Sequence, residues 1–127
     1  MASVRDPNDT AGRLIAAAQV EGTKIYNRAG ESLGSVEDVI IDKMSGKVAY
    51  AVVSFGGFLG IGERHYPLPW EKLTYDTNMG GFFVDLDRSM LENAPSYTDE
   101  GTVGWDDQAW GRHVYEYYGT RPYWDTP

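Results

Sequence analysis

Chemistry in this 127-residue chain could sit at two histidines, three pairs of adjacent carboxylates and one glycine-rich loop. His65 and His113 are far apart in sequence. His113 has only Glu116 and Tyr117 nearby, whereas a zinc site gathers three or four His, Cys or carboxylate ligands. We therefore expect hydrogen-bonded or solvent-facing imidazoles and assign no metal. The carboxylate pairs are Glu37 with Asp38, Asp99 with Glu100, and Asp106 with Asp107. Such pairs do acid and base work only when burial splits their pKa values. Neighbours on a strand point to opposite faces, so Glu37 and Asp38 could cooperate only if a bulge turned them together. The plainer reading is a solvated face and a helix cap. The chain has no cysteine, which removes thiolate and disulfide chemistry, and its serines show no nucleophile elbow. The sequence thus reads as non-enzymatic, with no catalytic residue and no cofactor.

The loop Gly56 to Gly62, GGFLGIG, holds four glycines around Phe58, Leu59 and Ile61. A phosphate cradle needs a helix start after the glycines, and here a strand follows. The plain reading is a wide hairpin loop whose apolar residues fold back over the barrel mouth; the sharper one, which we adopt, is a lip for contact with another protein, because apolar loop tips on soluble domains mark interaction sites. A second candidate surface lies near the C-terminus. Eight of the seventeen aromatic residues fall between Tyr97 and Trp124. Asp106 is expected to cap a helix over 107–118, with Trp105 stapled against Trp110. Trp110, Val114, Tyr117 and Tyr118 then form one apolar stripe. Such a stripe is more often core or an intramolecular lid; as the sharper reading, Trp105, Trp110, Tyr117 and Tyr118 join the candidate contact surface for a partner or a second copy. The alternative is a small-molecule or metal pocket between barrel and helix, walled by Trp70, Trp105, Trp110 and Tyr117.

The elements that must position these groups are mostly short strands. Residues 1–13 have almost no apolar periodicity and read as a disordered tail. Leu14 to Val20 is a brief apolar lead-in. Thr23 to Tyr26 is a strand ended by a turn in which Gly30 takes positive φ. From Leu33 to Ile41 the apolar parity breaks at Val36, so a bulge is expected near Glu37 or Asp38, bending the strand to help close a barrel. Lys43 to Gly46 turns the chain into Val48 to Phe55, apolar on both faces and so covered on both. Glu63 to Leu68 is expected at an edge because Pro67 cannot donate to a ladder. A proline-led turn follows at Trp70 to Lys72. Leu73 to Tyr75 and Phe82 to Asp85 complete the sheet. Asp87 caps a short helix that ends before Pro95.

Fifteen glycines and six prolines favour an all-β core of many turns. The fold class expected is a small, strongly bent antiparallel β-barrel of five to six strands, with short helices and a C-terminal aromatic helical extension. Residues 14–95 form the barrel and 96–127 the extension. A formal charge of −8 repels phosphate backbones and anionic lipid, which argues against nucleic acid as partner. No apolar run is long enough for a membrane span, so we expect a soluble, cytoplasmic protein without membrane insertion.

The segments GTKIYN, GESLGSVEDVIIDKMSGKVAYAVVSFGGFLGIGERHYPLPWEKL and the aspartate-led turn into RSMLENAP resemble, in order and spacing, the PRC-barrel family. That family is shared by the photosynthetic reaction centre H subunit and a bacterial ribosome maturation factor. The resemblance spans Gly22 to Ala94. It implies a compact β-barrel that serves in docking or assembly without a shared catalytic site. The chain lacks the membrane span of the first and the N-terminal domain of the second, so it looks like the stand-alone bacterial members.

Overall fold

The computed structural model describes residues 13–55, 64–98 and 104–125. The tail over 1–12 and the lip residues Phe58, Leu59 and Ile61 lie outside them. Seven strands form one sheet: β1 Lys24–Tyr26, β2 Ser32–Ile41, β3 Val48–Ser54, β4 Arg64–Pro69, β5 Thr74–Asp76, β6 Gly81–Phe83 and β7 Tyr97–Thr98. Their spatial order is β5-β6-β1-β2-β3-β4-β7, so the sheet curls but its terminal strands do not pair. Three short helices accompany it: α1 Ala17–Val20, α2 Arg88–Glu92 and α3 Gln108–Tyr117. The small bent all-β fold is as the sequence implies, except that the sheet is left open where a closed barrel is expected, and with two differences of detail. Among the described residues there are seven strands rather than five or six, because β7 adds a two-residue rung to β4. The pairing of β1 with β6 is parallel, since the chain returns from β6 to the far side of the first hairpin.

The expected bulge is present. Val36 pairs with Val53 and Asp38 with Val52, leaving Glu37 as the extra residue. That insertion turns Val36 inward, where it is fully buried beside Ile25, Ala51, Val53, Leu68 and Val84. A second irregularity between Ile40 and Ile41 turns Ile41 outward, against the parity expected of it; it is 50% exposed. Burying six such aliphatic side chains supplies on the order of 10 kcal/mol of gross stabilisation.

Tight curling shows at Gly34, where β2 is squeezed against the end of β3. A Cβ at this position would stand 2.1 Å from the Ser54 carbonyl oxygen and 3.0 Å from Phe55 Cα. No side chain fits between the two backbones, so glycine is required sterically here. The edge expected at Pro67 is real along Tyr66 to Pro69, since β7 pairs only with Arg64 and His65. It is nonetheless covered, because α3 packs along β4 and Tyr66 to Pro69 are buried. Covering an edge with a helix removes a template for unwanted strand pairing. Asp87 caps α2 as expected, accepting from the Met90 N–H at 2.8 Å.

Gly34→Ala should lower stability by about 2–3 kcal/mol, the range for forcing atoms into a packed interior. The urea midpoint should fall accordingly with an unchanged slope. An unchanged midpoint would show that β2 and β3 do not approach this closely.

Candidate functional site

Helix α3 begins one residue later than the sequence suggests. Asp107, not Asp106, is the N-cap, its carboxylate accepting from Ala109 N–H at 2.9 Å and Trp110 N–H at 3.3 Å. The buried face is Gly111, Val114, Tyr115 and Tyr118, spaced i, i+3, i+4, i+7. It is rotated from the expected stripe because Gly111 occupies its centre. The Trp124 ring and the Tyr50 hydroxyl press so close that a Cβ on Gly111 would lie 2.9 Å from each. A residue without a side chain carries no apolar signal, so the packing face was not legible there.

Of the expected contact residues, Trp105, Trp110 and Tyr117 are half-buried at the margin of this face. Tyr118 is 4% exposed and belongs to the core, so it offers no contact surface. Burial pushes its phenol up from the ordinary tyrosine value. Tyr117 donates to the Met90 carbonyl at 2.5 Å, tying α3 to α2.

Aromatic rings run without interruption across the sheet and the extension. His65 stacks on Tyr97 at 5.0 Å, Tyr97 meets Trp105 at 5.7 Å, and Trp105 meets both Trp110 and Tyr50, at 5.8 and 5.7 Å. Tyr50 continues to Tyr115 at 5.1 Å, Tyr115 to Trp124 at 5.8 Å and Trp124 to Tyr123 at 5.4 Å. Several pairs are edge-to-face, the arrangement ring quadrupoles favour. The Tyr115 hydroxyl donates to the Ala49 carbonyl at 2.9 Å. Burial and the neighbouring Tyr50 push the Tyr115 phenol up, so it stays a neutral donor.

Both ends of this belt are pinned by charge. The Glu37 carboxylate, on the bulge, meets His65 Nδ1 on β4. Asp38 instead accepts from its neighbour Val39 N–H at 2.8 Å, so the bulge does not converge the two carboxylates. Sequence reasoning missed the Glu37–His65 pair because the two residues are 28 positions apart. At the other end Tyr123 donates to Asp42 at 2.6 Å. That bond holds the Asp42 carboxyl below its usual 3.8, helped by the Ser45 and Met44 N–H groups, and Tyr123 is pushed up to about 12. Arg112 lies 5.6 Å over the Trp124 ring and 3.6 Å from the Asp125 carboxylate. His113 is exposed on α3. Among the described residues no three His, Asp or Glu come together as metal ligands, and no helix is long and apolar enough to cross a membrane.

A cavity of about 270 Å³ does lie between barrel and C-terminal helix. Of the four wall residues expected there, only Trp70 lines it; its companions include Lys47, Ala49, Glu71, Tyr115 and Tyr123. Trp105 and Trp110 are spent on each other.

Residues 13–91 match the family model described as PRC-barrel domain. A comparison with curated proteins finds no match. Among solved structures, one from Pseudomonas aeruginosa, described as a 16S ribosomal RNA processing protein, RimM, is 20% identical. It aligns with a TM-score of 0.40 over 63% of this chain and 48% of that one, so this chain spans about half the length of that protein.

The Asp42–Tyr123 bond has a pH signature. The folded-state pKa of Asp42 is depressed, so its stabilisation is present above the unfolded value near 3.8 and is lost as pH falls through the folded value. Tyr123 is raised, so its share holds below about 10 and disappears as pH climbs through about 12. Melting temperature recorded from pH 7 down to pH 2.5 should fall more steeply for the native chain than for Asp42→Asn. Parallel curves would show that the bond does not fix the extension.

Proposed function

The chain belongs to the PRC-barrel family, and from that premise we propose that it is a non-enzymatic interaction and assembly module, docking on a protein partner or on a second copy of itself. The observation that supports this most is the filled interior. Ile25, Val36, Ala51, Val53, Leu68 and Val84 are all fully buried and belong to one cluster at the centre of the curl. Contact with a partner then falls to the rim and outer surface of a rigid scaffold.

The contact surface in this reading is the apolar lip of Phe58, Leu59 and Ile61, which the sequence places in the connection between β3 and β4. The half-buried edges of Trp105, Trp110 and Tyr117 add to it. Each large side chain withdrawn from water contributes about 1.5–3 kcal/mol, enough for a few such anchors to hold a partner. The same reading divides the chain into a tail over 1–13, the barrel over 14–95 and the aromatic extension over 96–127, acting in the cytoplasm. With a net charge of −8, protein rather than nucleic acid suits this surface.

Light scattering on the purified chain, followed by cross-linking in its source cells, tests the proposal. A defined assembly that Phe58→Asp and Leu59→Asp abolish, with both variants melting as the native chain does, is the expected result. A strict monomer with the same cross-linked profile in native and variant chains would overturn it.

A further inference from the structure

On the inner face of the sheet, at its unpaired end, the strand pair β5–β6 and the Trp70 turn line a cavity of about 390 Å³. Its walls are three rings. Tyr75 and Phe82 are directly paired across the two strands, with ring centroids 5.3 Å apart and planes nearly perpendicular. Trp70 stands edge-on to the same Phe82 ring at 5.6 Å. Leu14 and Ile15 close one side. Leu14 is 87% exposed, an apolar side chain that nothing described covers. A concave site of this size with aromatic walls and few polar groups is the usual form of a small-molecule site.

Two exposed polar residues, Arg13 and Thr77, line the mouth. Arg13 has no hydrogen-bond or ion-pair partner among the described residues, whereas Arg28, Arg88 and Arg112 each face a carboxylate. Two acidic residues adjoin the lining in sequence: Asp76 is turned into its own loop, where it accepts from Asn78 and Met79 N–H groups, and Glu71 lines the neighbouring 270 Å³ cavity. Three rings could equally cage a cation, and the net charge of −8 would draw one in. At physiological salt that field is screened within about 8 Å, so the guanidinium at the mouth decides the local sign. Arg also forms bidentate bonds to carboxylates.

We propose that this cavity binds a small arylalkanoate, its ring seated among Trp70, Tyr75 and Phe82 and its carboxylate on Arg13. The site is separate from the contact surface proposed above and does not depend on it.

Three probes of one shape test the inference: 3-phenylpropionate, its neutral amide, and 3-phenylpropylammonium. Each is titrated into the full chain while the Trp70 indole N–H is followed by NMR, assigned with Trp70→Phe. The acid should bind about fivefold more tightly than the amide, the scale of one exposed ion pair, and the ammonium weakest. Arg13→Gln should equalise acid and amide, and Thr77→Trp, which fills the mouth from an exposed position, should remove binding of all three. No shift at Trp70 with any probe, or tightest binding of the ammonium, would overturn the proposal. So would binding of a tripeptide ending in phenylalanine with no response to free phenylpropionate, which would give the cavity to a protein C-terminus instead.

Discussion

Strand β3 is apolar on both faces, and the rest of the structure answers that demand. Every residue from Ala49 to Val53 is buried. Alternation sends Ala51 and Val53 to one side and Tyr50 and Val52 to the other, so a single flat sheet could cover only one of them. The inner side is covered by the sheet's own curvature. The bulge at Glu37 brings Val36 onto Val53, and Gly34 lets β2 close onto the end of β3. Tyr50, on the other side, is covered by Trp105 and Tyr115 of the C-terminal extension.

The extension is therefore joined to the barrel by rings more than by polar bonds. Three of its buried polar atoms, Tyr118 Oη, Thr120 Oγ1 and Trp124 Nε1, find no hydrogen-bond partner among the described residues. Each such group costs stability. The packing of Val114, Tyr115 and Tyr118 into the common core offsets that cost. Directional bonds are concentrated at a few places: Tyr115 on Ala49, Tyr123 on Asp42 and Tyr117 on Met90. These set the register of a contact that ring packing alone would leave free to slide.

Local rules in the sequence reached far into this fold. Broken parity at Val36 located the bulge, and Gly30 and Gly46 take the positive φ their turns require. Two-sided apolarity marked β3 as covered on both faces. What was not legible depends on partners remote in sequence. The return of β6 beside β1, the two-residue rung of β7 and the Glu37–His65 pair are set by tertiary closure. Gly111 hid the packing face of α3, since absence of a side chain looks like a weak helix position rather than a seat for Trp124. Asp106 and Asp107 are equally good caps by type, and only the geometry of the Ala109 and Trp110 amides separates them. For the candidate surfaces, residue type was informative and orientation was not. Tyr118 is sealed in the core, while Trp70, Tyr75 and Phe82 meet around a cavity through strand pairing that no local pattern encodes.

Barrel and extension sharing one core is the claim on which this account stands, and native-state hydrogen exchange measures it directly. Amides of Val114 to Tyr118 should open with the same free energy, and the same denaturant dependence, as those of Ala51 to Val53. Exchange of the α3 amides through a cheaper, separate opening, with β3 still protected, would contradict it.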